Sequence, residues 1–292
     1  MCGIAGLFLK NPVLEPQLGA LMTNMLNVLT ERGPDSAGFA IYGAPTPGRV
    51  KFTVRVKPGF KGLSLPAGLE AVVAMHDDHA VISVPAELAA QAQAFLETHA
   101  ELTIASVGSR MELFKGVGLP QDVSARFGLS GMSGTHAIGH TRMATESAVT
   151  TEGAHPFSTG ADQCLVHNGS LSNHNDVRRT LIRKGVKFAT QNDTEVAAGY
   201  LSDKLREGAK LDEALTLALN DLDGFYNFVV GTESGFGVLR DPVSCKPAVM
   251  AETEDYVAFA SEYRALVGLP GIETARLFEP EPAKVYFWER AA

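Results

Sequence analysis

The spacing of apolar residues changes character along this 292-residue chain. Residues 4–9 form an apolar run interrupted only by Gly6 and closed by Asn11-Pro12, which predicts a short buried strand. Over 16–30 the period becomes helical, with Leu18, Leu21, Met22, Met25, Leu26 and Leu29 on one face. The segment 31–36 ends that helix, because Gly33 suits a left-handed turn and Pro34 cannot continue it. Strands are predicted over 37–42 and 50–56, on either side of a Gly- and Pro-rich turn at 43–48.

The texture loosens over 57–134, where Gly59, Gly62, Pro66 and Gly68 mark loops. A strand at 80–84, a helix at 86–98 and a strand at 102–107 predict an inserted α/β elaboration. Further strands are expected at 136–140 and 164–167, the second stopping at Asn168-Gly169. Helices are expected over 173–184, 194–207 and 211–222. A hairpin over 225–239, a strand at 256–260, a short helix at 262–267 and a strand at 284–288 complete the pattern. Helices outside antiparallel sheets suit a layered fold.

Composition narrows the class. A hydrophobic share of 45% and a charged share of 20% are those of an ordinary globular core. The net charge of −8 disfavours nucleic acid and an anionic membrane as partners. No apolar run is long enough to predict a membrane span, and the first residues lack the pattern of a secretory leader. Cys2, Cys164 and Cys245 make neither a disulfide framework nor a metal-ligand pattern, so a cytoplasmic protein with reduced thiols is expected. His76-Asp77-Asp78-His79 carries metal-ligand side chains, but adjacent residues in a loop are more commonly solvated surface, and no metal site is expected.

Chemistry gathers at the chain start and in three later segments. Removal of Met1 would leave a thiol and an α-amine on Cys2. Such an amine titrates near ~7.7–8.0, so one residue can supply nucleophile and base. The plainer reading makes Cys2 a small apolar residue opening a strand. Asn168-Gly169 sets a side-chain amide beside a backbone N–H that can hold an oxyanion, and equally signals a type I′ turn. Arg142 stands at a strand end, as a bidentate carboxylate clamp or a structural ion pair. Asp193 opens a helix, as an ammonium acceptor or as the helix cap, with Asn192 and Glu195 resembling a capping box. Together Arg142 and Asp193 would clamp the zwitterion of an amino acid.

Eight segments then fall in a familiar order. They are Cys2-Gly3-Ile4-Ala5-Gly6, Arg32-Gly33-Pro34-Asp35-Ser36-Ala37-Gly38, Gly139-His140-Thr141-Arg142, His155-Pro156, His167-Asn168-Gly169, Asp193-Thr194-Glu195, Asp241-Pro242 and Ala260-Ser261-Glu262. In this order the chain resembles the class II, or N-terminal-nucleophile, glutamine amidotransferase domain. The resemblance implies an α+β fold, a four-layer αββα sandwich over residues 2–292, with 57–134 as the elaboration. It implies that Cys2 attacks the side-chain amide of L-glutamine, forms a γ-glutamyl thioester and releases ammonia. Asn168 and Gly169 would form the oxyanion hole. Arg142 would take the α-carboxylate, Asp193 the α-ammonium, and Gly169 would also line the substrate. Arg32 and His155 are given supporting roles. Met143 departs from the pattern, since several members carry tryptophan there.

No synthase region follows these motifs, so a separate synthase subunit is expected as partner and ammonia acceptor. The arrangement resembles the stand-alone amidotransferase subunit of split glutamate synthases and of N-methylglutamate synthase. That resemblance implies a flavin and an iron–sulfur cluster on the partner and no cofactor in this chain. Two other readings compete. One is a glutamine-binding or regulatory subunit without turnover. The other is an N-terminal-nucleophile hydrolase of another amide, which the Arg142/Asp193 pair disfavours.

Overall fold

The computed structural model describes residues 2–60, 63–144 and 148–290. Met1, Gly62 and Thr145, each marked in the sequence, lie outside the described residues. The first half of the chain supplies β1 (Gly3–Leu9), β2 (Ser36–Tyr42), β3 (Arg49–Val56) and β4 (Val72–His76). It continues with β5 (His79–Pro85), β6 (Leu102–Gly108), β7 (Met111–Val117) and β8 (His136–Arg142). The second half supplies β9 (Phe157–Gly160), β10 (Gln163–Leu171), β11 (Gly224–Gly231) and β12 (Gly235–Arg240). It ends with β13 (Val249–Glu252), β14 (Tyr256–Ala260), β15 (Arg276–Phe278) and β16 (Val285–Glu289). The α-helices are α1 (Leu18–Val28), α2 (Ala89–Glu97), α3 (Pro120–Phe127), α4 (His174–Arg183), α5 (Asp193–Arg206) and α6 (Leu211–Asp221).

These elements make an α+β fold with three sheets among the described residues. One has seven strands in the order β15-β13-β14-β1-β8-β2-β7, and a second has five in the order β16-β12-β11-β10-β9. The third has four, β4-β5-β3-β6. Period-two alternation explains how the two larger sheets are covered. Along β1, Ala5, Leu7 and Leu9 join a core shared with Leu18, Met22, Met25 and Leu26 of α1. Ile4 and Phe8 point the other way, into a core shared with Cys164 and Val166 of β10, Val229 of β11 and Phe236 of β12. Both faces of β1 are therefore buried, which is why its sequence is apolar throughout. Beyond the five-stranded sheet, Leu165, Phe228 and Leu239 pack on Val196, Leu201, Ala214 and Leu215 of α5 and α6.

The four-stranded sheet carries its own core of Phe52, Val54, Ile82 and Val84 against Ala92 and Leu96 of α2. Its span corrects the boundaries 57–134. The sheet begins at Arg49 and ends at Gly108, because β3 pairs with both β5 and β6. β7 pairs along all of β2, and α3 packs Val123 and Phe127 into the core under α1, so both belong to the main body.

Three local expectations also change. The helical pattern over 16–30 resolves into a 3₁₀ turn, Pro12–Gln17, followed by α1, with Asn11 Oδ1 accepting from Val13 N at 3.0 Å at its start. The helix expected at 262–267 is only a 3₁₀ turn, Tyr263–Ala265. His76 and His79 pair across a tight hairpin turn, and Asp78 accepts from His79 Nδ1 at 2.8 Å. Among the described residues, no group of three or more His, Cys, Asp or Glu is arranged to hold a metal.

Gly6 marks a close approach of the two larger sheets. A Cβ there would stand 2.8 Å from Phe236 Cζ and 2.9 Å from Val229 Cγ1. Gly6→Ala should therefore destabilise the fold by about 1–3 kcal/mol through overpacking. A urea midpoint equal to that of the parent chain would contradict this account of the interface.

Candidate active site

The alternation that fills the core between the sheets also places the site at its end. Ile4, Gly6 and Phe8 face that core on β1, and Ile138 faces it on β8. Cys2, His140 and Arg142 continue those two rows. On β10 the row is Cys164, Val166 and Asn168. Asn168 accordingly reaches Cys2, donating from Nδ2 to the Cys2 carbonyl at 3.1 Å. Arg32 Nε donates to the same oxygen at 3.0 Å, and its Nη1 pairs with Glu262 at 2.8 Å. The Cys2 thiol is half-buried and lies 3.9 Å from the Met143 carbonyl. Ser261, directly after β14, fastens the next link of β1, accepting from Ile4 N at 2.9 Å and donating its own N–H to Ile4 O at 3.0 Å.

Asn168-Gly169 is not a turn, and the strand does not stop there. β10 continues to Leu171 because β11 offers a partner at every step, with Asn168 opposite Asn227 and Gly169 opposite Tyr226. Gly169 has φ +154°, and a Cβ would fall 1.9 Å from Phe225 O. Only glycine fits this place in the ladder. Asp241 supports the facing strand by accepting from Tyr226 N at 3.0 Å and Val243 N at 2.6 Å, which accounts for the Asp241-Pro242 segment.

Arg142 ends β8, 7% exposed, with Nη1 3.4 Å from Ala148 O. Gly33 lets the preceding loop lie flat against it, since a Cβ at Gly33 would sit 2.4 Å from Arg142 N. Asp35 completes the brace, donating its N–H to Arg142 O at 3.1 Å and accepting from Ala144 N at 2.8 Å. Arg142 and Asp193 line one cavity of about 780 Å³, together with Met143, Gly169 and His174. Cys2 adjoins this cavity through Asn168, whose neighbour Gly169 is in its wall.

Asp193 is not the helix cap. Asn192 Oδ1 caps α5 by accepting from Thr194 N at 2.8 Å. No capping box forms, because Glu195 turns away and accepts from Ala189 N at 2.7 Å and Thr190 N at 2.8 Å, fixing another stretch of cavity wall. Asp193 is left free to accept from Leu171 N at 3.0 Å beside the cavity. Burial alone would raise its pKa, but the neighbouring His167 ring, the Leu171 N–H and His174 more than offset this and lower it to about 2. It is a carboxylate at any physiological pH.

His155 does not line this cavity. It is buried behind it, its ring stacked on His140 at 4.0 Å, with Nε2 2.7 Å from Thr194 Oγ1. Sequence reasoning missed His174, Glu195, Asp35 and Ser261. The last three stand inside the quoted motifs, so their presence was visible although their contacts were not. Lys115 was also missed. It is half-buried beside the segment before β9, donating to Ala154 O at 2.8 Å and lying 4.3 Å over the Phe157 ring. Desolvation lowers its pKa to about 8.

Comparison with known proteins assigns the family. The family described as a glutamine amidotransferase domain matches residues 140–268. The glutamine amidotransferase-like protein GlxB of Rhizobium meliloti (strain 1021) is 60% identical over 296 residues, covering 99% of this chain and 98% of its own. A relative from Methanothermobacter thermautotrophicus is 37% identical, covering 98% of this chain and 99% of its own. Among solved structures, the glutamine phosphoribosylpyrophosphate amidotransferase of B. subtilis superposes with a TM-score of 0.64 at 22% identity. That match covers 99% of this chain and 47% of the other, and shows a shared fold. The fold is the one shared by glutamine amidotransferase domains. The chain belongs to the class II glutamine amidotransferase family.

Buried histidines give the fold a pH limit. Desolvation lowers the pKa of His136 and of His140 to about 3, and drives that of His155 well below its ordinary value. The unfolded chain takes up these protons first, so stability is full above the unfolded value and is lost as pH falls below it. Each ring should cost up to about 1.4 kcal/mol per pH unit below ~6.5. Urea unfolding at pH 7, 6 and 5 should show this decline, with a shallower slope for His136→Gln. A flat profile for the parent chain would contradict it.

Proposed function

We propose that this protein hydrolyses L-glutamine to glutamate and ammonia through a thioester on Cys2. One observation carries the reading. Two donors, Asn168 Nδ2 and Arg32 Nε, hold the backbone of the nucleophilic residue, while Arg142 and Asp193 line the adjoining cavity. A cation and an anion across one cavity suit a free α-amino acid. Once Met1 is removed, the Cys2 α-amine takes the thiol proton, and the thiolate attacks the glutamine side-chain carbonyl carbon. The carbonyl oxygen becomes an oxyanion held by Asn168 and the Gly169 N–H. The Asn168 amide nitrogen carries two protons, so its bond to Cys2 O leaves one for this purpose. The tetrahedral intermediate collapses with cleavage of the C–N bond, and the α-ammonium protonates the departing nitrogen. Water then cleaves the thioester, regenerating the thiol and releasing glutamate. Arg32 and His155 act in support, Arg32 by holding Cys2 and His155 from behind the cavity.

The finer expectations belong to the same proposal. The stacked cores are read as the four-layer αββα arrangement of the class, and the four-stranded sheet as an elaboration of it. Ammonia is proposed to pass to a separate synthase subunit of the glutamate synthase or N-methylglutamate synthase type. The flavin and iron–sulfur cluster would belong to that subunit, and the protein would work in the cytoplasm. A glutamine-binding role without turnover remains the competing reading. The presence of Cys2, Asn168 and Gly169 together favours catalysis.

Incubation with 6-diazo-5-oxo-L-norleucine should add one adduct, on Cys2, in chains whose mass shows loss of Met1. Cys2→Ala should abolish glutamine turnover. An unlabelled Cys2 in correctly processed protein would favour the binding reading.

Arg142→Ala should raise the KM for glutamine by about tenfold or more, from loss of a charged hydrogen bond. An unchanged KM would revive a non-amino-acid substrate.

A further inference from the structure

One buried hydroxyl joins the segments that carry the site. Thr194 is 1% exposed at the start of α5. Its Oγ1 lies 2.7 Å from His155 Nε2, 2.9 Å from His167 Nδ1 and 3.5 Å from Asp193 Oδ1. His155 precedes β9, and His167 precedes Asn168 on β10. His140, on β8 of the other large sheet, stacks on His155 and approaches His167 O with Nε2 at 3.1 Å. Three chain segments and both large sheets therefore converge on this threonine.

The proton pattern follows from counting donors and acceptors. His140 Nε2 faces a carbonyl, so it carries the ring proton. His140 Nδ1, His155 Nδ1 and His167 Nε2 are buried without a hydrogen-bond partner among the described residues. A bare ring nitrogen there costs less than a stranded N–H. The protons therefore sit on His155 Nε2 and His167 Nδ1, and both point at Thr194. The threonine oxygen accepts both with its two lone pairs. Its own proton then has one acceptor in reach, the Asp193 carboxylate. Burial keeps the His140 and His155 rings neutral, in keeping with this arrangement.

We infer that the Thr194 hydroxyl is a positioning group for the ammonium-binding carboxylate: it ties Asp193 to the buried histidines of β10 and of the segment before β9. Asp193 Oδ1 faces the Thr194 hydroxyl at 3.5 Å and the His167 ring at 3.7 Å, in addition to the Leu171 N–H on Oδ2, and together these orient its plane against the cavity. The inference rests on the glutaminase reading for the identity of the ligand. It goes beyond that reading by assigning the hydroxyl rather than the shape of residue 194.

The test uses the full-length chain with Thr194→Val, which removes the hydroxyl at nearly constant volume, and Thr194→Ser, which restores it. L-Glutamine binding is measured by calorimetry in a Cys2→Ala background, and KM and kcat in the Cys2 protein. Thr194→Val should weaken binding and raise KM by about tenfold, with kcat within about threefold, and Thr194→Ser should stay within about threefold of the parent in both. Alkylation of Cys2 by iodoacetamide should be the same in all three. Equal losses in the Val and Ser variants, or unchanged binding in the Val variant, would overturn the assignment. So would a fall in kcat at constant KM. Glutamine binding without turnover in the parent would defeat the glutaminase reading alone, whereas absence of binding in the parent would defeat both.

Discussion

The structure depends on two β-sheets packed face to face, and on the period of two that such packing imposes. Each strand of the central region buries both faces, one toward helices and one toward the opposite sheet. The row that fills the space between the sheets cannot stay apolar to its end, because there it meets the outside. At that end stand Cys2 immediately before β1, Arg142 on β8 and Asn168 on β10. The Cys2 carbonyl, held by Asn168 at 3.1 Å and by Arg32 at 3.0 Å, is the point at which the two sheets are tied to each other across the site. The polar chemistry is thus the continuation of the core, held to the same register.

Around this axis the supporting residues share a manner of working. Asp35, Glu195, Ser261 and Asp241 each spend their side-chain oxygens on backbone N–H groups of loops and strand ends near the site. The charge-assisted bonds of the three carboxylates hold backbone that lacks a ladder partner at those points. Glycine does the complementary work where backbones must touch. Gly33 lies against Arg142, and Gly169 against Phe225, at distances no side chain permits. The site residues therefore sit on strand ends and a helix start, with little left to loop motion.

The four-stranded sheet is attached to this frame through charge. Arg55 of β3 pairs with Glu152, a residue that also lines the cavity, and with Asp78 at 3.5 Å. Lys115 of β7 donates to carbonyls of the same segment. A contact between the smaller sheet and the cavity wall gives that sheet a structural bearing on the site. Its composition, loose and rich in glycine, gave no sign of this.

Much was legible in the chain alone. Helical spacing found α1, α5 and α6, and alternation found most strands of the larger sheets, because one-sided burial imposes a period on sequence. The residues named for chemistry were also readable, because a nucleophile, an amide, an arginine and an aspartate stand in a familiar order. Pairing was not readable. Asn168-Gly169 reads locally as a turn, and only the partner strand β11 carries the chain straight through it. Asp193 reads as a cap as readily as Asn192 does, and only the position of Leu171 N, on another strand, decides between them. Glu195, Thr194 and the buried histidines act on groups distant in sequence, where no spacing rule reaches. Sequence by itself determined the elements, the family and the reacting residue types, since these follow from local periodicity and motif order. The tertiary structure alone decided which oxygen each donor meets, since hydrogen bonds are set by distance and direction across strands that the chain brings together only on folding.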